Sequence, residues 1–195
     1  MKRRSFLKVV SSAAASYALG TRPIWAVKSQ DSKGEDDKVA GLPRRALGRT
    51  GEKVSVVGFP GLSLIHYDQA RCTAGIHDAF EKGVNYFDVA PAYGDGECET
   101  KMGIGLQGID RSRIFLACKT KMRDKDGAQK ELEQSLKRLK TDYLDLYQMH
   151  AIRTPEEVKQ ALGTGGAIET FLKARQEGKV GILASRHILL RVRLR

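Results

Sequence analysis

Polar residues recur at one spacing at the ends of strand-like segments, and this repeat limits the possible folds more than any other feature of the chain. Asp88, Lys119 and His150 each close a short run of mostly apolar residues. Each lies 31 residues from the next, close to the roughly 30 residues of one strand–helix unit. Because parallel strands end at a common edge, these side chains are predicted to meet there, with Tyr93 from the loop after Asp88.

Each of these residues also has an ordinary structural explanation, as a capping aspartate, a surface lysine or a core histidine. A carboxylate at the end of an apolar strand, such as Asp88, is costly to bury unless it has a partner. Three polar residues in phase at strand ends therefore favour one common site over three coincidences.

Helical patterns fill the intervals between the strand-like segments. They cover residues 70–82, 97–105, 127–137, a start at Thr154-Pro155 and a stretch from Ile168 to Gly178. The first core strand is predicted over residues 54–59, followed by a loop at 58–61, and a fifth strand begins at Val180. Alternating strands and helices predict an α/β fold with a parallel sheet and right-handed crossovers.

Several of these segments resemble the aldo-keto reductase family. The matching residues are Tyr86-Phe87-Asp88-Val89-Ala90 with Tyr93-Gly94, then Lys119, then Asp142-Tyr143-Leu144-Asp145-Leu146-Tyr147 with His150. The segment 45–51 with Val54-Ser55 resembles the N-terminal β-hairpin of that family. The resemblance implies a (β/α)8 TIM barrel that reduces an aldehyde or ketone with NADP(H). For this chain it predicts a partial barrel over residues 43–180, with the hairpin and the first four to five βα units.

The resemblance also implies a role for each residue of the predicted site. Tyr93 matches the general acid, which delivers a proton to the carbonyl oxygen as hydride moves from nicotinamide to the carbonyl carbon. Lys119 would stabilise the phenolate of Tyr93, and Asp88 would hold Lys119 in place. His150 would orient the carbonyl or help to pass the proton. Asp88 and Gly58 are the predicted cofactor contacts, and the family takes most of its remaining contacts from later strands.

The resemblance ends where the composition changes, shortly after Val180. No Asp or Glu follows Glu177, and residues 181–195 are predicted to form an atypical basic tail. A full barrel takes about 250 residues, whereas 169 residues follow residue 26. A C-terminally truncated or frame-shifted family member is therefore expected. A genuine basic amphipathic tail is the alternative interpretation.

Three functions follow from these observations as competing hypotheses. The first is an NADP(H)-dependent oxidoreductase that acts on a small carbonyl substrate. The second is a catalytically inactive fragment that acts at most as a binding or assembly partner. The third is a sugar-isomerase-like metal barrel, which needs several carboxylate and imidazole ligands. The predicted edge offers only Asp88 and His150 for that purpose, so no metal site is predicted.

The N-terminal sequence Lys2-Arg3-Arg4-Ser5-Phe6-Leu7-Lys8 resembles a twin-arginine export signal. The apolar region that follows, 9–19, is shorter than the about 20 residues that span a bilayer, so no stable membrane span is predicted. We expect a signal peptide over residues 1–26, a disordered linker over 27–42, and export to the periplasm by the twin-arginine machinery. A basic amphipathic N-terminal helix is the alternative.

The net charge lies mostly at the two ends of the chain. Of the formal charge of +11, residues 1–26 carry +5 and residues 186–195 carry +4, which leaves +2 for the body. No basic face with interleaved aromatic residues is evident, so nucleic-acid binding is not predicted. The three cysteines lack the spacing of a disulfide framework or a zinc site.

Export is expected to depend on the paired arginines. A fusion of residues 1–42 to a periplasmic reporter should reach the periplasm, whereas Arg3→Lys combined with Arg4→Lys should retain the reporter in the cytoplasm. The change keeps both positive charges, so it tests the receptor-read address rather than the charge of the segment. Equal export of the two fusions would disprove the predicted signal.

Overall fold

The computed structural model describes residues 37–187. The predicted signal peptide at 1–26, the linker up to residue 36 and the tail from residue 188 lie outside the described residues. The prediction of a disordered linker is wrong at its C-terminal end, because residues 37–42 belong to a sheet. Ala40 and Gly41 both have positive φ, as a two-residue type I′ hairpin turn requires.

A small antiparallel sheet precedes the main sheet. It contains β1 (Asp37–Val39), β2 (Leu42–Ala46) and β3 (Lys53–Ser55) in the order β1-β2-β3. The predicted N-terminal hairpin is thus confirmed, with one extra strand. Asn85 joins this sheet to the next one: its side-chain oxygen accepts from the Ser55 N–H at 2.7 Å, and its own N–H donates to Ser55 Oγ at 3.1 Å.

Five parallel strands form the main sheet. They are β4 (Gly58–Pro60), β5 (Tyr86–Asp88), β6 (Phe115–Thr120), β7 (Leu144–Ile152) and β8 (Val180–His187), in that spatial order. The predicted α/β fold, a partial barrel of four to five units, is confirmed. Among the described residues the sheet is open, with β4 and β8 at its edges.

Two strand predictions need correction. The first predicted core strand, 54–59, is divided between β3 and β4, because Ser55 is bonded to Asn85 while the chain crosses to the next sheet through the exposed Val56 and Val57. Residues 181–187 are not a tail but most of β8. Ile182 and Leu183 pair with β7 and place apolar groups on both faces of the sheet, as a buried strand requires.

Between residues 37 and 187, five α-helices cover one face of the sheet. They are α1 (Gln69–Glu81), α2 (Glu97–Gly105), α3 (Lys125–Leu139), α4 (Pro155–Leu162) and α5 (Ala167–Gln176). The predicted helices are confirmed, with ends shifted by a few residues. The start at Thr154-Pro155 is also confirmed, since Thr154 Oγ1 accepts from the Glu157 N–H at 3.2 Å as an N-cap does.

Side-chain alternation along the strands separates two environments. Phe87, Leu116 and Tyr147 belong to the large apolar cluster between sheet and helices. Residues one position away in the chain, such as Phe115 and Leu146, belong to a smaller cluster on the other face. Leu47 and Val54 of the antiparallel sheet region pack on that second cluster. The antiparallel sheet region thus covers part of the face of the main sheet that is opposite to the helices.

No helix within residues 37–187 is long and apolar enough to cross a membrane.

Acid should remove one identifiable stabilising contact. Glu169 near the start of α5 accepts from the Gly165 N–H at 2.8 Å and pairs with Lys125 at 2.9 Å. The Gly165 hydrogen bond and then Lys125 lower the pKa of Glu169 below its usual 4.5. Because the folded-state pKa is the lower one, this stabilisation is present above pH 4.5 and is lost as pH falls through the folded-state value.

Glu169→Gln is therefore expected to lower the melting temperature at pH 7 and to have little effect once the wild-type carboxyl is protonated. Thermal unfolding followed by circular dichroism across this pH range measures the difference. Glu81→Gln, at an exposed glutamate ending α1, is the matched control. A Glu169→Gln effect that persists unchanged in acid would contradict the assignment.

Candidate active site

Three neighbouring strands bring the predicted site residues to one edge of the sheet. Asp88 is the last residue of β5, Lys119 lies one residue before the end of β6, and His150 lies near the end of β7. In the sheet register Asp88 pairs with Ala117, and Lys119 pairs with Gln148. Equal strand–helix units therefore place the residues as their spacing predicts.

The Lys119 ammonium is the centre of the site. Its side chain is fully buried, and it donates to the Asp88 carboxylate, to the Val89 carbonyl at 3.1 Å and to the Tyr93 hydroxyl at 3.3 Å. An ammonium has three donors, and all three have acceptors here. This arrangement compensates the desolvation of the buried charge, which would otherwise be several kcal/mol.

A tight turn after β5 carries Tyr93. The Tyr93 N–H donates to the Ala90 carbonyl at 3.0 Å, and Gly94, Asp95 and Gly96 all follow with positive φ. Glycine adopts this backbone readily, which explains its use at two of the three positions. The Tyr93 ring also faces the ammonium, with Lys119 Nζ 5.0 Å from the ring centroid. The half-buried phenol thus contacts the buried cation through both its hydroxyl and its ring.

His150 packs against the same tyrosine. The two ring centroids are 5.8 Å apart and the rings are perpendicular, the edge-to-face geometry that aromatic pairs favour. The β7–β8 register shifts between Met149 and Ile152, and Ala151 has a φ of 54°. A bulge of this kind changes the direction of the strand and re-aims the adjacent side chains.

The structure brings Asp88, Tyr93, Lys119 and His150 together but does not bring Gly58 to them. Gly58 begins β4 and pairs with Tyr86, two residues before Asp88. The predicted loop at 58–61 is instead strand β4 followed by a 3-10 helix, Gly61–His66. A Cβ on Gly58 would lie 2.8 Å from Tyr86 Cδ1, so close strand packing accounts for this glycine.

Two residues near the site were not predicted from the sequence. Gln148 precedes His150 by two positions, so it lies on the same face of β7, beside Lys119 in the neighbouring strand. Period-two alternation back from His150 is the signal that identifies it. Arg123 donates to the His150 carbonyl at 2.7 Å. No sequence pattern indicates this contact, because it joins a loop to a strand 27 residues away.

The arrangement is suited to proton transfer. A phenol in contact with an ammonium can release its proton, because the positive charge stabilises the phenolate that remains. Asp88 retains 24 % exposure of its side chain and Gln148 is half-buried, so both have polar atoms available to a bound molecule at this edge. Within the described residues no group of three or more His, Cys, Asp or Glu is placed to hold a metal ion.

Similar proteins were found in sequence and in structure. L-galactose dehydrogenase of Arabidopsis thaliana is 35 % identical over 149 residues, covering 69 % of this chain and 45 % of that protein. An uncharacterized oxidoreductase of Bacillus subtilis is 32 % identical over 151 residues, covering 71 % and 47 %. The chain thus spans about half the length of the curated relatives it matches.

Solved structures give the same result. The holo form of an aldo-keto reductase from Bacillus halodurans matches with a TM-score of 0.66 and 30 % identity, over 75 % of this chain and 51 % of that one. An aldo-keto reductase from Klebsiella pneumoniae in complex with NADPH matches with a TM-score of 0.58 and 25 % identity, over 69 % and 46 %.

The aldo/keto reductase family model matches residues 64–185, which is more than half of the chain and contains all four clustered side chains. Together with the sheet and the geometry at its edge, this match shows that the chain belongs to the aldo/keto reductase family.

Proposed function

We propose that the protein is an NADP(H)-dependent oxidoreductase that reduces an aldehyde or a ketone by hydride transfer. The observation that carries the proposal is the contact of the Tyr93 hydroxyl with the buried Lys119 ammonium, which is itself paired with Asp88. The family supplies the reaction class, and the described residues supply a proton donor suited to it.

Tyr93 is the proton donor in this proposal. Its hydroxyl gives a proton to the carbonyl oxygen of the substrate as negative charge develops there, and the resulting phenolate remains next to the Lys119 ammonium. Asp88 keeps that ammonium in place from the adjacent strand. Since Tyr93 is half-buried while Lys119 is sealed, a substrate reaches the phenol and not the cation.

His150 is proposed to orient the carbonyl. Its ring stands perpendicular to the Tyr93 ring, and a neutral imidazole carries one N–H donor. A carbonyl oxygen that accepts from both the Tyr93 hydroxyl and this N–H is fixed in one position. Holding a substrate in this way removes much of the entropic barrier to reaction.

The nicotinamide cofactor, NADP(H), supplies the hydride when bound, as the NADPH complex of the Klebsiella pneumoniae relative suggests for the family. The donor set at the strand ends fits its nicotinamide end. Gln148 offers a donor and an acceptor, and Asp88 offers a carboxylate oxygen, both on the face that carries Lys119. We propose that these two side chains hold the carboxamide group. Gly58 lies too far down its strand to contribute.

We further propose that the protein is exported by the twin-arginine machinery and acts in the periplasm. The support is the sequence around Arg3 and Arg4. The inactive-fragment hypothesis is the outcome if the purified protein binds no NADPH.

Replacement of the proton donor tests the proposal. Tyr93→Phe should keep the ring contacts with Lys119 and His150 and lower kcat by about 10²–10⁴-fold, the usual contribution of general acid catalysis. NADPH affinity should be unchanged. The assays are NADPH oxidation with an aldehyde substrate and NADPH binding by fluorescence. Tyr67→Phe, at an exposed tyrosine stacked on Arg71, is the control.

Full activity in Tyr93→Phe would disprove the role of Tyr93. Binding of NADPH without turnover in the wild type would leave the cofactor assignment intact and reject the reaction.

The ion pair should respond asymmetrically to mutation. Asp88→Ala leaves the fully buried ammonium without its counter-charge, and breaking a buried pair in this way costs about 3–5 kcal/mol. Lys119→Met removes that charge and leaves a carboxylate that still reaches water, so its cost in unfolding free energy should be smaller. The double variant should recover stability relative to Asp88→Ala but show no activity. Urea denaturation and NADPH oxidation measure the two effects, and equal destabilisation by both single changes would contradict this account.

A further inference from the structure

Arg123 is a buried cation beside the site to which the proposed chemistry gives no role. It follows β6 in the loop that leads into α3, and only 9 % of it is exposed. Its Nη2 donates to the His150 carbonyl at 2.7 Å and lies 3.8 Å from Glu157 Oε1. Among the described residues, its Nε and Nη1 are buried and have no hydrogen-bond partner.

Fold stability does not explain such a residue. Burying a guanidinium is unfavourable unless its donors are satisfied, and here two of the three nitrogens have no acceptor in the described part of the chain. An apolar side chain of similar length would fill the same space without that cost. Among the described residues, the shortest contact of the guanidinium is its bond to the backbone of His150 at 2.7 Å, and the Glu157 carboxylate lies farther away at 3.8 Å.

That backbone is in an unusual conformation. Ala151, which shares a peptide bond with the His150 carbonyl, has a φ of 54°, a left-handed conformation that is unfavourable for alanine. The pairing of β7 with β8 is irregular at this position, between Met149 and Ile152. Ladder hydrogen bonds are locally disrupted at such an irregularity. A strained segment persists only when its surroundings hold it, and Arg123 provides a charged donor at this position.

The base of the Arg123 side chain is itself fixed. The Arg123 carbonyl accepts from the Ala167 N–H at 2.9 Å, and Asp124, the next residue, caps α3 by accepting from the Gly127 N–H at 2.7 Å. At the other end, the Glu157 carboxylate is held by the Arg153 N–H at 2.5 Å. The guanidinium therefore extends from a loop anchored by hydrogen bonds toward a carboxylate that is itself hydrogen-bonded.

We propose that Arg123 is a positioning residue for the reaction: by holding the His150 carbonyl in the bulge of β7, it sets the orientation of the imidazole against the Tyr93 ring. The inference rests on the proposed function in one respect, that the orientation of His150 matters for turnover. The positioning itself is a property of the fold and is measurable without catalysis.

The test is a comparison of Arg123→Met with Arg123→Lys. Proton NMR of the imidazoles follows the four histidines of the chain, and His150→Gln assigns the His150 signal. Arg123→Met removes the donor and should displace or broaden this signal, because the ring leaves its place at the Tyr93 ring. Arg123→Lys retains a cationic donor and should restore the signal at least in part.

Kinetics provide the second measurement. Arg123→Met should lower kcat by about 10–100-fold, since a displacement of about 1 Å of a positioning group has effects of this size, with the NADPH dissociation constant unchanged. Arg123→Lys should recover part of kcat. Arg111→Met is the matched control: Arg111 also donates to backbone carbonyls, of Ile114 and Tyr143, but at the opposite end of the strands. It should change neither the His150 signal nor NADPH affinity.

The outcomes separate the two proposals. An unchanged His150 signal in folded Arg123→Met would overturn the positioning role, and so would an equal response to Arg111→Met. If Arg123→Met does not fold, the same measurement is made on Arg123→Gln, whose side chain is shorter and uncharged. A wild-type His150 signal in folded Arg123→Gln would overturn the positioning role, with Arg111→Met as the reference. A shifted signal in a protein without turnover supports the positioning of His150 and rejects the proposed reaction.

Discussion

The buried Lys119 ammonium determines the arrangement of the whole edge of the sheet. It is sealed from solvent, so it needs acceptors for all three of its donors. Those acceptors come from the end of β5 and from the turn that follows, through Asp88, Val89 and Tyr93. The charge that would make the proton donor effective therefore also fixes the distance between two strands and the path of the turn. Stability and proposed chemistry depend on the same three contacts.

The two faces of β6 have different roles. One carries Lys119 of the candidate site, and the other packs against the helices. Cys118, next to Lys119 in the chain, points to the helices and contacts the buried Glu99, which pairs with Arg138 of α3 at 3.0 Å. Burial, and then Glu99, raise the pKa of the Cys118 thiol well above its usual value, so it stays neutral and packs as a small apolar group. A Cβ on Gly96 would clash with the Arg138 guanidinium. The turn that carries Tyr93 thus packs at Gly96 against Arg138 of α3.

The sequence predicts those parts of the structure that repeat. The spacing of Asp88, Lys119 and His150 reflects equal strand–helix units, which is why the sequence predicts their convergence. The sequence does not predict features that depend on no repeating pattern of residues. Arg123 acts through a backbone carbonyl of a distant strand, and the Ala40-Gly41 turn extended the first sheet into a segment whose polar composition indicated a linker. The resemblance implies a cofactor contact at Gly58, whereas the structure places the ring of Tyr86 beside this glycine.

All four clustered side chains, and Arg123 with them, lie within residues 88–150. The proposed proton donor and the groups that surround it therefore lie in one contiguous segment of the chain. Recombination that exchanged the coding sequence on either side of this segment would change the surroundings of Tyr93, the proposed acid, and leave Tyr93 and its contacts unchanged. A family member that kept this segment while its flanking segments changed would thus keep the proposed proton donor in new surroundings.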